Sequence, residues 1–199
     1  SREMIFTRFE RFWHWCQALL IILLMVTGFE VNGAYVLFGY GQATNLHELF
    51  AWVLMGLWVL AIFWHFTTGE WRQYIPTTNK LLAVVNYYTV GIFHPAVRHP
   101  FKKTRLSKHN PLQRLAYLFL KLAISPLIWV TGLLYLFYND WPVLGLDWIP
   151  LSLVAGLHLG AAFLMLVFFI AHVYMSLFTA KPMGAYLKAM ITGYEDVTE

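Results

Sequence analysis

A single cysteine, Cys16, stands among 199 residues. Its solitude excludes an internal disulfide, a thiolate metal cluster and the C-x-x-C-H attachment of a covalent c-type haem. Any metal in this chain has to be held mostly by histidine. Charge is equally scarce: Asp, Glu, Lys and Arg make up 12% of the residues, against 59% hydrophobic. A soluble domain of this length carries less apolar material and more charge, so the chain reads as an integral membrane protein. Acidic groups are missing from the middle of every long apolar run; Glu30, Glu48, Asp140 and Asp147 all lie at run edges. A proton-coupled transporter normally needs an intramembrane carboxylate relay, and its lack argues against that class. The net charge of +4 is explained by membrane orientation, and no nucleic-acid-binding pattern accompanies it.

What the chain does have is four apolar runs. Crossing about 30 Å of hydrocarbon takes about 20 helical residues, and runs of that length lie near 12–30, 46–68, 112–137 and 150–178. The first is too long, and lacks a following small-residue cleavage site, to be a removed signal peptide, so it is read as a retained helix. Basic residues fall on one side of this pattern. Arg2, Arg8 and Arg11 precede the first run, and Lys181 and Lys188 follow the fourth. Arg72, Lys80, Arg98, Lys102, Lys103, Arg105, Lys108 and Arg114 lie between the second and third runs or at the foot of the third. Connections 31–45 and 138–149 carry none, and the one other basic residue, Lys121, lies about two turns into the third run. By the positive-inside rule both termini and the long connection face the cytoplasm, while the two short connections face outward. Trp13, Trp15, Trp64, Trp71, Trp141 and Trp148 fall near run ends, as interfacial aromatics do. The expected fold is an all-α integral membrane protein, one membrane domain over 1–199 with four transmembrane helices in an up-down bundle. The cytoplasmic loop, 69–111, includes "LLAVVNYYTVGIF" (81–93), too short to span and suited to the interface. A basic, proline-punctuated return at 94–111 suits anionic lipid.

Histidine is the residue that stands out against this background. His158 and His172 lie in the fourth run, about 21 Å apart along a helix and about 40° apart around it, so they share a face at two depths. The span directions put His158 toward the outer leaflet and His172 toward the inner one. His14 opens the first span from the cytoplasmic side, and His47 opens the second from the outside. Antiparallel packing therefore offers His47 with His158 near the outer surface and His14 with His172 near the inner surface. His65 lies on the face of His47, about 27 Å further in, and is an alternative inner partner of His172. Its place at the membrane edge equally suits an interfacial role. His94, His99 and His109 belong to the basic loop. One intramembrane histidine is read equally well as a hydrogen-bonding group between helices; four at matching depths are harder to read that way.

Two imidazoles per site select among metals. Structural zinc takes four protein ligands and usually recruits thiolate or carboxylate, which are missing at these depths. Haem iron asks the protein for one or two axial ligands, because the porphyrin supplies four nitrogens. Two histidines close the coordination sphere, so the iron carries electrons and leaves substrate binding to other sites. The reading is two non-covalent, bis-histidine b-type haems held between the helices. Gly156, Gly160, Ala161 and Ala162 in the fourth run, with Ala51 and Gly56 in the second, leave room for a flat macrocycle or for plain helix packing.

Around these histidines the chain resembles the four-helix di-haem cytochrome b subunits of respiratory formate dehydrogenases, and the related b-type cytochromes of nickel-iron hydrogenases and thiosulfate reductases. The resemblance covers nearly the whole chain. It rests on "RFWHW" (11–15), "LHELFAW" (46–52), "TG" at 27–28 and 131–132, "KHNPLQR" (108–114), the H-x13-H-V-Y-M arrangement of 158–175 and the tail "AKPMGAYLKAMITGYED". Glu48 and Ala51 depart from the proline and glycine of that pattern, which bears on how closely the outer haem approaches the second span. The resemblance implies His47 and His158 as outer haem ligands, His14 and His172 as inner ones, and a quinone pocket at Asn110 and Gln113. "NP" at 110–111 is also an N-cap and first-turn signature. Arg8, Arg11 and Arg114 either pair with haem propionates or snorkel to lipid phosphate.

The implied protein sits in the bacterial inner membrane. It passes electrons between an iron-sulfur or multihaem subunit on the outer face and menaquinone or ubiquinone near the cytoplasmic face. Substrate chemistry then belongs to another chain, and quinone reduction or quinol oxidation is the one reaction open to this one. Oxidising the donor outside while drawing protons from inside charges the membrane without moving a proton through it. The alternatives are a stand-alone quinone-reactive cytochrome b, a quinol-oxidising subunit donating to an outer-face multihaem cytochrome, or a haem-free transporter or structural anchor.

Overall fold

The computed structural model describes residues 2–69, 111–178 and 183–196. The interfacial segment expected at 81–93, and Asn110 of the quinone pocket, lie outside the described residues. Four helices are long and apolar enough to cross a membrane: Arg8–Val31, Tyr40–Thr68, Leu112–Leu136 and Leu151–Phe178. The chain divides into two compact units, one built from residues 1–73 with the C-terminal segment, the other from 109–183 for its main part.

The first unit pairs α1 (Arg8–Val31) with α2 (Tyr40–Thr68). Hydropathy places the first helix from residue 12, yet it starts a turn earlier because Thr7 and Glu10 form a capping box. The Thr7 hydroxyl accepts from Glu10 N–H at 3.2 Å, and the Glu10 carboxylate accepts from Thr7 N–H at 3.2 Å. Two N–H groups are thereby satisfied where the helix leaves the apolar slab. The α1–α2 pair is antiparallel, with Phe9 stacked on Trp64 at 4.8 Å and Trp58 Nε1 donating to Gln17.

At the far end Glu30, 4% exposed, folds back on the loop before α2. Its Oε1 accepts from the backbone N–H groups of Leu37, Phe38 (2.7 Å) and Gly39 (3.1 Å). Those donors precede a helix whose N-cap, Gly39 at φ +88°, has no side chain to offer. Tyr35 closes the same loop by donating to the Val26 carbonyl. Burial, with the Glu30 carboxylate nearby, pushes its phenol above the ordinary value.

The termini of this unit meet in a clasp that the expected all-α fold omits. Strand β1 (Arg2–Met4) pairs antiparallel with β2 (Tyr194–Asp196), in the register Arg2 to Asp196 and Met4 to Tyr194. Ile5 and Phe6 bury against Ala189 of α7 (Ala185–Thr192), forming a small core. Arg11 Nη1 donates to Ile191 O at 3.0 Å and Trp15 Nε1 to Met190 O at 3.1 Å. Gly193, at φ +87°, makes the turn into β2, and its carbonyl accepts from Ile5 and Phe6 N–H.

The second unit's first long helix is interrupted. α3 (Pro111–Phe119) runs through a wide π-turn, Leu120–Ile124, into α4 (Ser125–Leu136). Pro126 explains the interruption: it has no N–H for the Leu122 carbonyl, and its ring would crowd that carbonyl in a regular helix. The wider turn absorbs both problems, and Ser125 N–H reaches back five residues to Leu120 O. A short α5 (Trp141–Leu144) follows, and Trp141 Nε1 donates to Leu134 O at 2.8 Å. α6 (Leu151–Phe178) then runs antiparallel along α3 and α4.

Large apolar side chains line the outside of these helices, among them Phe66 (73% exposed), Leu122 (69%) and Val167 (63%). Such a surface aggregates in water and is the ordinary exterior of a protein whose solvent is lipid, with backbone polar groups satisfied inside each helix.

Candidate functional site: histidines held by threonine and glycine

Each helix pair holds one histidine in the same way. In the first unit His47, in the second turn of α2, faces Thr27 and Gly28 near the end of α1. Thr27 Oγ1 lies 3.0 Å from His47 Nδ1, 2.8 Å from the Leu23 carbonyl and 3.2 Å from that of Leu24. A hydroxyl has one proton, and here it goes to the threonine's own helix. Its lone pairs therefore accept, so the imidazole proton sits on Nδ1 and the ring's lone pair on Nε2. Gly28 makes the approach possible: a Cβ there would stand 3.0 Å from His47 Cε1 and 3.4 Å from Nδ1.

The second unit repeats the device. Thr131 Oγ1, near the end of α4, lies 2.9 Å from His158 Nδ1 and donates to the Leu127 carbonyl at 2.6 Å. A Cβ on Gly132 would stand 3.2 Å from His158 Cε1. Thr27 and Thr131 are 0% and 3% exposed, so both hydroxyls are committed inside the protein. The two "TG" pairs noted in the sequence thus have one physical job, in which threonine grips the ring and glycine makes room for it. Sequence reading singled out the dipeptides without their role, because the partners lie 20 and 27 residues downstream.

His172 has a different neighbour. Its Nδ1 lies 3.1 Å from the Tyr117 hydroxyl, and its ring stacks on Phe168 at 5.9 Å with 9° between the planes. His14 meets Trp15 edge-on at 4.9 Å. His65 is buried, with Trp13 and Trp64 edge-on to it at 5.8 and 5.1 Å. Gln113 and Arg114 are also buried, whereas Arg8 is exposed and Arg11 is used in the clasp. Adding a Cβ at Gly56, Gly156 or Gly160 meets no protein atom within 4 Å, whereas Ala161 is fully buried.

The donor chemistry fits haem. A b-type iron needs an imidazole nitrogen with its lone pair available and the other nitrogen held, which is what the Thr27 and Thr131 contacts provide. Among the described residues no three His, Cys, Asp or Glu converge as a chelating cluster. Membrane-length helices carrying imidazoles as single donors define the class: a helical membrane protein equipped for haem.

The chain belongs to the prokaryotic cytochrome b561 family, which matches residues 5–193. It is therefore a membrane-embedded b-type cytochrome of a bacterial multi-pass kind, and electron transfer is its work. The Escherichia coli (strain K12) protein named "Putative cytochrome YdhU" is 28% identical over 200 residues, covering 96% of this chain and 73% of that protein. No solved structure gives a significant match.

Proposed function

We propose that the chain is the membrane-anchoring, di-haem cytochrome b subunit of a respiratory complex of the formate dehydrogenase or hydrogenase kind. In this reading His47 and His158 are the axial ligands toward the outer face, and His14 and His172 those toward the cytoplasmic face. The observation that carries it is the repeated threonine–glycine–histidine arrangement, one copy in each helix pair. A shared holding device supports His47 and His158 as ligands of the same kind, and their pairing toward the outer face rests on span direction. His65 packs edge-on to Trp13 and Trp64 as His14 does to Trp15, so the choice of His14 as the inner ligand, with His65 as the alternative, rests on its place at the start of the first span.

Bound haem supplies one-electron chemistry. The chain's own residues supply axial imidazoles at two depths, a water-excluding apolar surround and a fixed span between the two levels. Electrons pass between an iron-sulfur or multihaem partner outside and quinone near the inner end, where buried Gln113 is the described member of the pocket. The orientation, with both termini in the cytoplasm of a bacterium and the chain in its inner membrane, rests on the distribution of Lys and Arg.

A pyridine haemochrome assay on purified protein, with protein quantified in parallel, tests the reading. Two haems per chain are expected in the wild type, one or fewer after His47→Ala, His158→Ala, His14→Ala or His172→Ala, and two after His65→Ala. Loss of a haem in His65→Ala with retention in His14→Ala reassigns the inner ligand. Copurification of larger redox subunits distinguishes a complex subunit from a stand-alone cytochrome.

A further inference from the structure

The proposed ligands His47 and His158 are each gripped at Nδ1 by a buried threonine whose own proton is spent on its helix. A buried hydroxyl of this kind has two consequences for a ring. It selects the tautomer with the lone pair on Nε2, and it resists rotation of the imidazole about its Cβ–Cγ bond. Acceptance of the Nδ1 proton also makes Nε2 a better electron donor, which favours the ferric over the ferrous state of a bound iron. Plain helix packing needs none of this: valine matches threonine in shape and would pack equally well. The recurrence of the same three-residue arrangement in two units, with contacts at 3.0 and 2.9 Å, argues that the hydrogen bond itself matters.

We propose that Thr27 and Thr131 are positioning residues that fix the tautomer and ring plane of His47 and His158 and, acting through these rings, lower the midpoint potential of the haem each ring would hold. The proposal rests on the ligand assignment above. Tyr117, at 3.1 Å from His172 Nδ1, provides an internal comparison, since it should act on the other haem.

The test uses the full chain in isolated membranes, with haem content, potentiometric titration of the b-type absorbance, and the low-spin ferric EPR signal, which reports the mutual orientation of two axial imidazoles. Thr27→Val and Thr131→Val should each keep haem and raise the midpoint of the same component, with altered EPR g-values. The double variant should raise it further. Thr27→Ser and Thr131→Ser, which keep the hydroxyl, should behave as wild type, and Tyr117→Phe should move the other component.

Unchanged potential and EPR in both valine variants, while His47→Ala and His158→Ala still lose a haem, would falsify the positioning role and leave the ligand assignment standing. Equal haem loss in the serine and valine variants overturns a role for the hydrogen bond. Shifts on two different components uphold positioning but separate His47 from His158. Full haem retention in His47→Ala and His158→Ala overturns the ligand reading, and the threonine role falls with it.

Discussion

A glycine next to a gripped ring leaves little freedom to either partner. His47 is held by Thr27 at 3.0 Å, and a methyl group at Gly28 would reach within 3.0 Å of its Cε1. The ring cannot swing aside without breaking the hydrogen bond, so the helices must part or the ring must tilt. Gly28→Ala is therefore expected to lower haem content or distort the Soret band. Gly132→Ala, with 3.2 Å to His158 Cε1, should do so less. Gly41→Ala, at the start of α2 with no atom within 4 Å, should leave haem unchanged. Equal haem content and spectra in all three variants would refute the close approach. The histidines themselves were legible in the sequence, because an imidazole at membrane depth is conspicuous on polarity alone. Their supports were less legible: a Thr–Gly pair is common in membrane helices, and only the antiparallel register brings it to the ring.

Between residues and the whole, the helices show where hydropathy reading stops. The apolar runs gave four spans because lipid-facing and core-facing positions are both hydrophobic, and length alone carries the signal. Helix starts were set by other chemistry. Thr7 with Glu10 moved the first start toward the N-terminus, and the loop anchored on Glu30 lets α2 begin at Tyr40, ahead of the apolar run at 46. The carboxylate's three backbone hydrogen bonds predict that Glu30→Ala destabilises the α1–α2 pair. A lowered thermal midpoint in detergent checks this, with Glu30→Gln, which keeps an acceptor oxygen, losing less.

The terminal clasp was invisible to pattern reading for a different reason. Its strands are three residues each, too short to display alternation, and they pair across almost the whole chain. Its weak point is Gly193, where a Cβ would lie 2.9 Å from Phe6 O and 3.0 Å from Arg11 Cζ. The left-handed backbone adds about 1–2 kcal/mol for any other residue. Gly193→Ala should open the clasp, read as faster proteolytic trimming of both ends while haem content is retained. Trimming at the wild-type rate would show that the turn tolerates a side chain.

For the molecule as a whole, the strongest sequence signal was charge placement, and it makes a prediction about sidedness. Lys and Arg are absent from connections 31–45 and 138–149 and gathered at the termini and in 69–111. The energetic basis is that basic segments are retained on the cytoplasmic side during insertion, so those two connections should face outward. One cysteine makes this straightforward to test, because Cys16→Ser yields a chain without thiols. Val36 and Val143, 87% and 89% exposed in the two connections, and Met183, 73% exposed before α7, are suitable single-cysteine sites. A membrane-impermeant maleimide added to intact cells with a permeabilised outer envelope should label Val36→Cys and Val143→Cys and spare Met183→Cys. After the inner membrane is opened all three should react. Labelling of Met183→Cys alone in closed cells inverts the orientation, puts the Thr27 and Thr131 end of the chain inside, and moves the proposed redox partner of His47 and His158 to the cytoplasm.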